Sequence, residues 1–474
     1  MFQCRVLRAR VSKSTLEVVP QGGMQGCCGI PFQESLALAE SERSGDAWCQ
    51  VGLLLQLGLG VPKDPVGAAK WYRRGADAGH ALSQLYLASM LMNGNGVDKD
   101  EKQAAALYLL SAEAGNSDAQ LLLAKCYCSG TGVPADAALS AAWYLRAAQA
   151  GIATAQFLFG LCCEEGKGVP KDAAEAFKWY LRSAESGLVE AQHIVGLYLK
   201  EGRGVPADVV QAIGWHMRAA DGGNVDSQFL VGMAYADGKV LAVDKSKAAA
   251  YYLRAAEAGH ARAQYFLGIC FQDGTGVVKD DVQAFSWFLR AAESDDHRVI
   301  SLAQHAVACA YDCGLGVRED VEKAVSYYLR AAEGGYAVAQ YNLAWSYHLG
   351  VGIGLDKRKA ELWYRRSAEQ GCALAQHNLG RMHLLGDGVP QDAVQACIWI
   401  RRAAEQGHAG AQADMGDCLF EGRGIPQDAA EAVAWWKRAA AAGHTQSAAR
   451  LRGMGVVSSL LTTNTAFGGA TRRS

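Results

Sequence analysis

The chain has no surplus of charge: 46 Lys and Arg stand against 48 Asp and Glu, a net charge of −2. Recognition of nucleic acid rests on neutralising phosphates with a basic surface, so no nucleic-acid partner is expected. No apolar run approaches the ~18 residues that cross a bilayer, so no direct membrane span is expected. The first twenty residues, MFQCRVLRARVSKSTLEVVP, lack the apolar centre of a secretion signal. They are basic, with no acid before Glu17, which leaves a mitochondrial transit peptide as the alternative to a cytoplasmic protein. No Asn-x-Ser/Thr sequon occurs, which opposes a glycosylated luminal protein. The 14 cysteines lack the regular spacing of a disulfide framework. Many stand where other parts of the chain carry apolar residues, so they read as small buried hydrophobes in a reducing compartment.

What the sequence has is a period. Gln84, Gln120, Gln156, Gln192, Gln228 and Gln264 are each 36 residues apart. After a slip of four come Gln304, Gln340, Gln376 and Gln412, again 36 apart, and Trp48 holds the same slot in an earlier copy. Eleven copies result, from about Gly45 to His444, followed by the partial helix TQSAARLR. Each copy holds two segments of helical periodicity. In copy four the first is AQFLFGLCCEEG, whose Gln, the residues three and seven on, and the small residue four on share one stripe. A Gly-x-Gly, Gly166 and Gly168 here, ends it by supplying left-handed backbone.

The residues that recur invite chemistry and are better explained by architecture. An Asp occurs in all eleven copies, from Asp64 to Asp428, directly before the second segment. A row of eleven active sites makes no sense, whereas eleven helix N-caps do. Six copies have Glu or Gln three residues later, as in Glu175, Gln211 and Glu431, which predicts a capping box. The second helix carries an aromatic pair such as Trp179-Tyr180, then an Arg in ten copies of eleven, Leu110 being the exception. The aromatics read as core between copies rather than a ligand box. The Arg reads as a stem over that layer with its head bonded to nearby carbonyls or carboxylates.

A helix hairpin of this kind cannot bury its own apolar face, and stacking copies builds one continuous core. The expected fold is all-α, an α-solenoid of about eleven helix-turn-helix repeats of 36 residues in a right-handed superhelix. Residues 45–452 are expected to form it, 1–44 a disordered or irregular N-terminal segment and 453–474 a flexible tail.

The recurring string AQ-x-x-LG-x-x-Y-x-x-G-x-GV-x-x-D-x-x-x-A-x-x-WY-x-x-AA-x-x-G resembles the Sel1-like repeat, a relative of the tetratricopeptide repeat. The resemblance implies an adaptor that assembles multiprotein complexes by binding a protein or peptide. Members of the family include components of endoplasmic-reticulum degradation complexes. A cysteine-rich bacterial branch linked to penicillin binding has regular cysteine pairs in each copy, which this sequence lacks.

A solenoid binds with the face lined by its first helices. Counting the Gln as zero, the stripe beside the core is one, five and eight, and it varies among copies. Its candidates for partner binding are His193, Phe229, Tyr265, His305, Tyr341 and His377 at position one, Trp345 and Arg381 at five, and His348 at eight. Asn342 and Asn378 lie beside them at position two. The aromatics would give area at low entropic cost and the amides would grip an extended backbone. The competing reading is that several pack against the neighbouring helix. His305, Cys309 and Cys313 share a helical stripe, but adjacent copies supply no fourth ligand, and neither metal nor cofactor is expected. No nucleophile-base pair or phosphate loop stands out from the repeat, so no catalytic residue is expected. Two copies are irregular: copy six lacks its second glycine at 238–244, and four residues are added within 293–304, which lengthens a helix or inserts a loop.

Overall fold

The computed structural model describes residues 32–454. Among them there is no strand, and each of the eleven copies is a pair of helices, most of 13 residues or about 20 Å. The chain divides into two compact units, one ending at Val243 and the other beginning at Asp244. In the first, the helix pairs of copies one to five and the first helix of copy six pack in chain order; in the second, the rest do so up to a terminal helix, Thr445–Gly453. Within each unit, every second helix lies against the first helix of the next copy and, outside copy six, against its own first helix. This is the stacking that defines an α-solenoid.

Each helix starts and stops where its sequence says. The side chain of the recurrent Asp accepts the N–H three residues on in all eleven copies, Asp172 from Glu175 at 3.0 Å for example. The expected capping box does not close, however. The Asp172 N–H is taken by the carbonyl of Cys163 on the first helix at 2.9 Å, and ten of the copies make the equivalent bond. The Glu175 carboxylate turns instead to Trp179 Nε1 at 2.8 Å. First helices end on a glycine in left-handed backbone, as at Gly166 with φ 72°.

The aromatic pair is core. Trp143, Trp179, Trp287, Trp363, Trp399 and Trp435 are all buried, each burial contributing roughly 2–3 kcal/mol. The small residue four after the Gln makes room for the second ring of the same copy: a Cβ on Gly160 would lie 2.9 Å from the Tyr180 ring. The Arg departs from its expected role. Its guanidinium stacks on the indole one turn back, Arg182 at 4.5 Å over Trp179, and the same stack recurs from Arg74 to Arg438.

Copies are tied to one another by the glutamines. Gln156 Nε2 donates to the Ala148 carbonyl at the end of the preceding copy's second helix, 3.2 Å away, and eight other glutamines repeat this bond. Each of these carbonyls also accepts the N–H of the glycine three residues on, as Ala148 from Gly151 at 3.1 Å, and offers the glutamine its second lone pair. Trp48 does the same work in copy one: its Nε1 donates to Ala39 O at 3.0 Å. That acceptor belongs to a helix, Phe32–Ser41, within the stretch expected to be irregular. It stands in the place of a preceding copy's second helix and covers the end of the stack. Residues 1–31 and 455–474 lie outside the described residues.

The four added residues form a loop. The second helix of copy seven stops at Ala292 and the next first helix starts at Ile300. Asp296 pairs with Arg298 at 2.9 Å, and Val299, only 2% exposed, plugs the gap. Copy six, whose second glycine is replaced by Val240, is where the two units divide in sequence.

Candidate functional site

The first helices of copies eight to ten, Ile300–Cys313, Ala337–Leu349 and Ala373–Leu385, carry eight of the eleven sequence candidates. Position one proves to be the seam between neighbouring first helices. His305 Nε2 lies 3.1 Å from Asn342 Nδ2, and its ring packs edge-on against Tyr336 at 5.1 Å. His377 Nε2 lies 2.8 Å from Asp414 and its ring 4.6 Å from that of His408. Tyr341 packs at 5.9 Å against Tyr364, whose hydroxyl accepts from Asn378 at 3.4 Å. Tyr265 is half-buried against Phe288 at 5.7 Å.

Two candidates are overturned. His193 and Phe229 are 1% and 2% exposed and belong to the core; over His193 the next first helix brings Ser227 to 2.7 Å from Nδ1. The amides also differ from expectation. Asn342 and Asn378 are engaged within the fold, so they are not a free row for a peptide backbone. His348 is half-buried, bonded to Asp387 at 2.8 Å and set edge-on to Tyr364 at 6.0 Å. Lys357 also pairs with Asp387, and these two partners hold that carboxyl below the usual carboxylate range.

Position five is the exposed one. Trp345 is 47% exposed, and Arg381, one copy on, is also exposed. One turn further, at position nine, stand Cys313, Leu349 and Leu385, all exposed, the leucines at 49% and 63%. Copies four to seven and eleven place Glu165, Glu201, Asp237, Asp273 and Glu421 there, and copies one to three Leu57, Asn93 and Ser129. Residues i and i+4 share a helix face, so Trp345 with Leu349 and Arg381 with Leu385 form one edge. Sequence reasoning missed position nine, although lining up the copies shows acids giving way to apolar residues in three successive copies.

The chemistry of this face favours contact over catalysis. Cys309 Sγ is 3.6 Å from His305 Nε2, the spacing of a nucleophile and its base. Burial pushes the thiol up and the imidazole down to about 4, so the pair stays a neutral thiol and a neutral ring at neutral pH. Among the described residues, no three His, Cys, Asp or Glu side chains are grouped to hold a metal ion. None of the described helices is long and apolar enough to cross a membrane.

The Sel1 repeat model matches the chain eleven times, from 46–80 to 409–444, and leaves only the inserted 297–300 unmatched between 261–296 and 301–336. The chain belongs to the Sel1 repeat family. Its copies match those counted from the glutamines. Among solved structures, this Sel1 repeat protein is similar to c5321, a protective antigen of uropathogenic Escherichia coli strains with an SLR fold. Identity there is 31%, 91% of each chain is covered, and the TM-score is 0.83. It is also 30% identical to a Sel1 repeat protein from Oxalobacter formigenes, over 52% of this chain and 96% of that one, with a TM-score of 0.43. No curated protein matches the sequence.

Proposed function

We propose that this Sel1 repeat protein is a non-catalytic scaffold that takes a segment of a partner protein along the first helices of copies eight to ten, in assembly of a multiprotein complex. The observation that carries the reading is the exposed edge Trp345, Leu349, Arg381 and Leu385, its leucines standing at a position where copies four to seven and eleven carry an acid. Aromatic and leucine side chains on a rigid helix give contact area at little entropic cost, and one arginine adds orientation. The recurrent residues are spent on the fold: the Asp caps helices, the Gln joins copies, and the Arg stacks on Trp. Cys49, Cys126, Cys270, Cys397 and Cys418 are buried as small apolar side chains, which fits a reducing compartment such as the cytoplasm.

The test is a peptide library displayed on phage and panned on the full chain. Enriched peptides carrying apolar residues should bind the intact protein and a Val210→Ser control on an exposed second-helix position. They should lose binding to a Trp345→Ala, Leu385→Asp double variant of unchanged helicity. Equal binding to all three proteins removes this face as the site. A mere spacer between other domains would enrich no such peptides.

A further inference from the structure

Copy five differs from its neighbours at two buried ring positions. Position one is Phe157 in copy four and Phe229 in copy six, and the second ring of the pair is Tyr180 in copy four; copy five has His193 and His216. Both imidazoles are 1% exposed, with ring centroids 5.3 Å apart. His216 sits where the tyrosine ring would, against Gly196, whose missing Cβ would come within 2.6 Å of it. One hydroxyl serves both rings: Ser227 Oγ lies 2.7 Å from His193 Nδ1 and 3.3 Å from His216 Nδ1. A hydroxyl has one proton, so it donates to one ring and accepts from the other. The Nε2 atoms of both rings are buried with no partner.

This arrangement tolerates neutral imidazoles and not charged ones. A protonated ring is a donor at both nitrogens: the ring that accepts the hydroxyl proton, whose own proton is already on Nε2, would lose its acceptor, the other would gain an unpaired Nε2–H, and either would be a buried cation beside a second ring. The surrounding charges do not rescue it. The next first helix, Val225–Asp237, brings Asp226, which favours the charged form of His193, but burial outweighs it. Lys200 on Val189–Glu201, and His193 itself, oppose the charge on His216. The flanking second helices carry Arg218 and Asp221 on Val209–Asp221 and Glu185 on Ala173–Glu185, all exposed.

We propose that His193, Ser227 and His216 form an acid-sensitive latch, which joins copy five to copy six at neutral pH and opens that joint first as the medium acidifies. Burial depresses both imidazoles, His216 from 6.5 to about 3. The opened state therefore binds protons first. The latch is at full strength above the ordinary histidine value and weakens as pH falls from there toward about 3. At pH 4.5, two units below 6.5, His216 alone raises the opening constant about 100-fold.

The experiment is hydrogen exchange on the full chain at pH 7.5 and 4.5, corrected for intrinsic rates. It compares the native protein with a His193→Phe, His216→Tyr variant that restores the ring pattern of copy four. Opening in 189–237 should rise about 100-fold more in the native protein, while copies one to three respond alike in both. The same pH response in 189–237 of both proteins overturns the proposal. Should the variant fail to fold, imidazole NMR on the native chain decides: His216 must stay neutral at pH 5 while the chain is folded and His193 must titrate below its ordinary value, and titration of either near 6.5 refutes the latch.

Discussion

The second glycine of each Gly-x-Gly supports a sharp prediction. Gly168 has φ 72°, and a Cβ on it would lie 1.9 Å from the Ala137 carbonyl oxygen at the start of the preceding copy's second helix. Gly187, which closes the second helix, has φ 89° but nothing within 4 Å of a Cβ. Alanine at either site bears the left-handed penalty of about 1–2 kcal/mol. Only Gly168→Ala must also push backbone away from backbone by more than an ångström, which separates two copies at a packed joint. Its cost should exceed that of Gly187→Ala by at least about 2 kcal/mol. The chain holds a natural comparison in copy six, where Val240 occupies the slot. Among the described residues, the one non-glycine residue with positive φ is Arg43, so Val240 takes another backbone conformation. The two alanine variants should be compared by the midpoint of the same urea transition and by local hydrogen exchange, since a repeat array need not unfold in one step. Equal shifts, or a larger one for Gly187→Ala, would refute the idea that this glycine is required by the neighbouring copy.

Three further outcomes follow from the same structure. Asp172→Ala should destabilise by about 1 kcal/mol through loss of the cap, with Asp172→Asn close to native, as read by urea midpoints. Gln156→Leu should cost about 0.5–1.5 kcal/mol, because the Ala148 carbonyl keeps its bond from Gly151 N–H when the glutamine is gone; a loss well above that range would show a larger role. Arg182→Ala should cost about 0.5–1 kcal/mol with little dependence on salt, as expected of a stack on Trp179, and strong salt dependence would indicate an ion pair instead.

Much of this protein was legible because its repeat averages out accident. Eleven aspartates in one slot identify a cap, and eight tryptophans in another identify a core. The same averaging hid what is local. The helix Phe32–Ser41 was missed because it has none of the recurrent Asp, aromatic pair or Arg of a second helix. His193, His305 and His377 at position one were misjudged because their partners Ser227, Asn342 and Asp414 come from the next copy, some 34 to 37 residues away. Position nine was overlooked because its signal is a contrast with other copies, acids replaced by Cys313, Leu349 and Leu385, rather than any residue remarkable by itself.

The sequence by itself determined the number of copies, the helix starts and stops, and which faces are apolar, because these depend on neighbours within one or two turns. Tertiary structure decided the rest. It closed the cap N–H onto the first helix instead of a capping box, laid arginines on indoles, made the second glycine a contact point, and drew His193 and His216 under one hydroxyl. Each of these depends on the distance between groups far apart in the chain, and side-chain spacing along one helix carries no record of that distance.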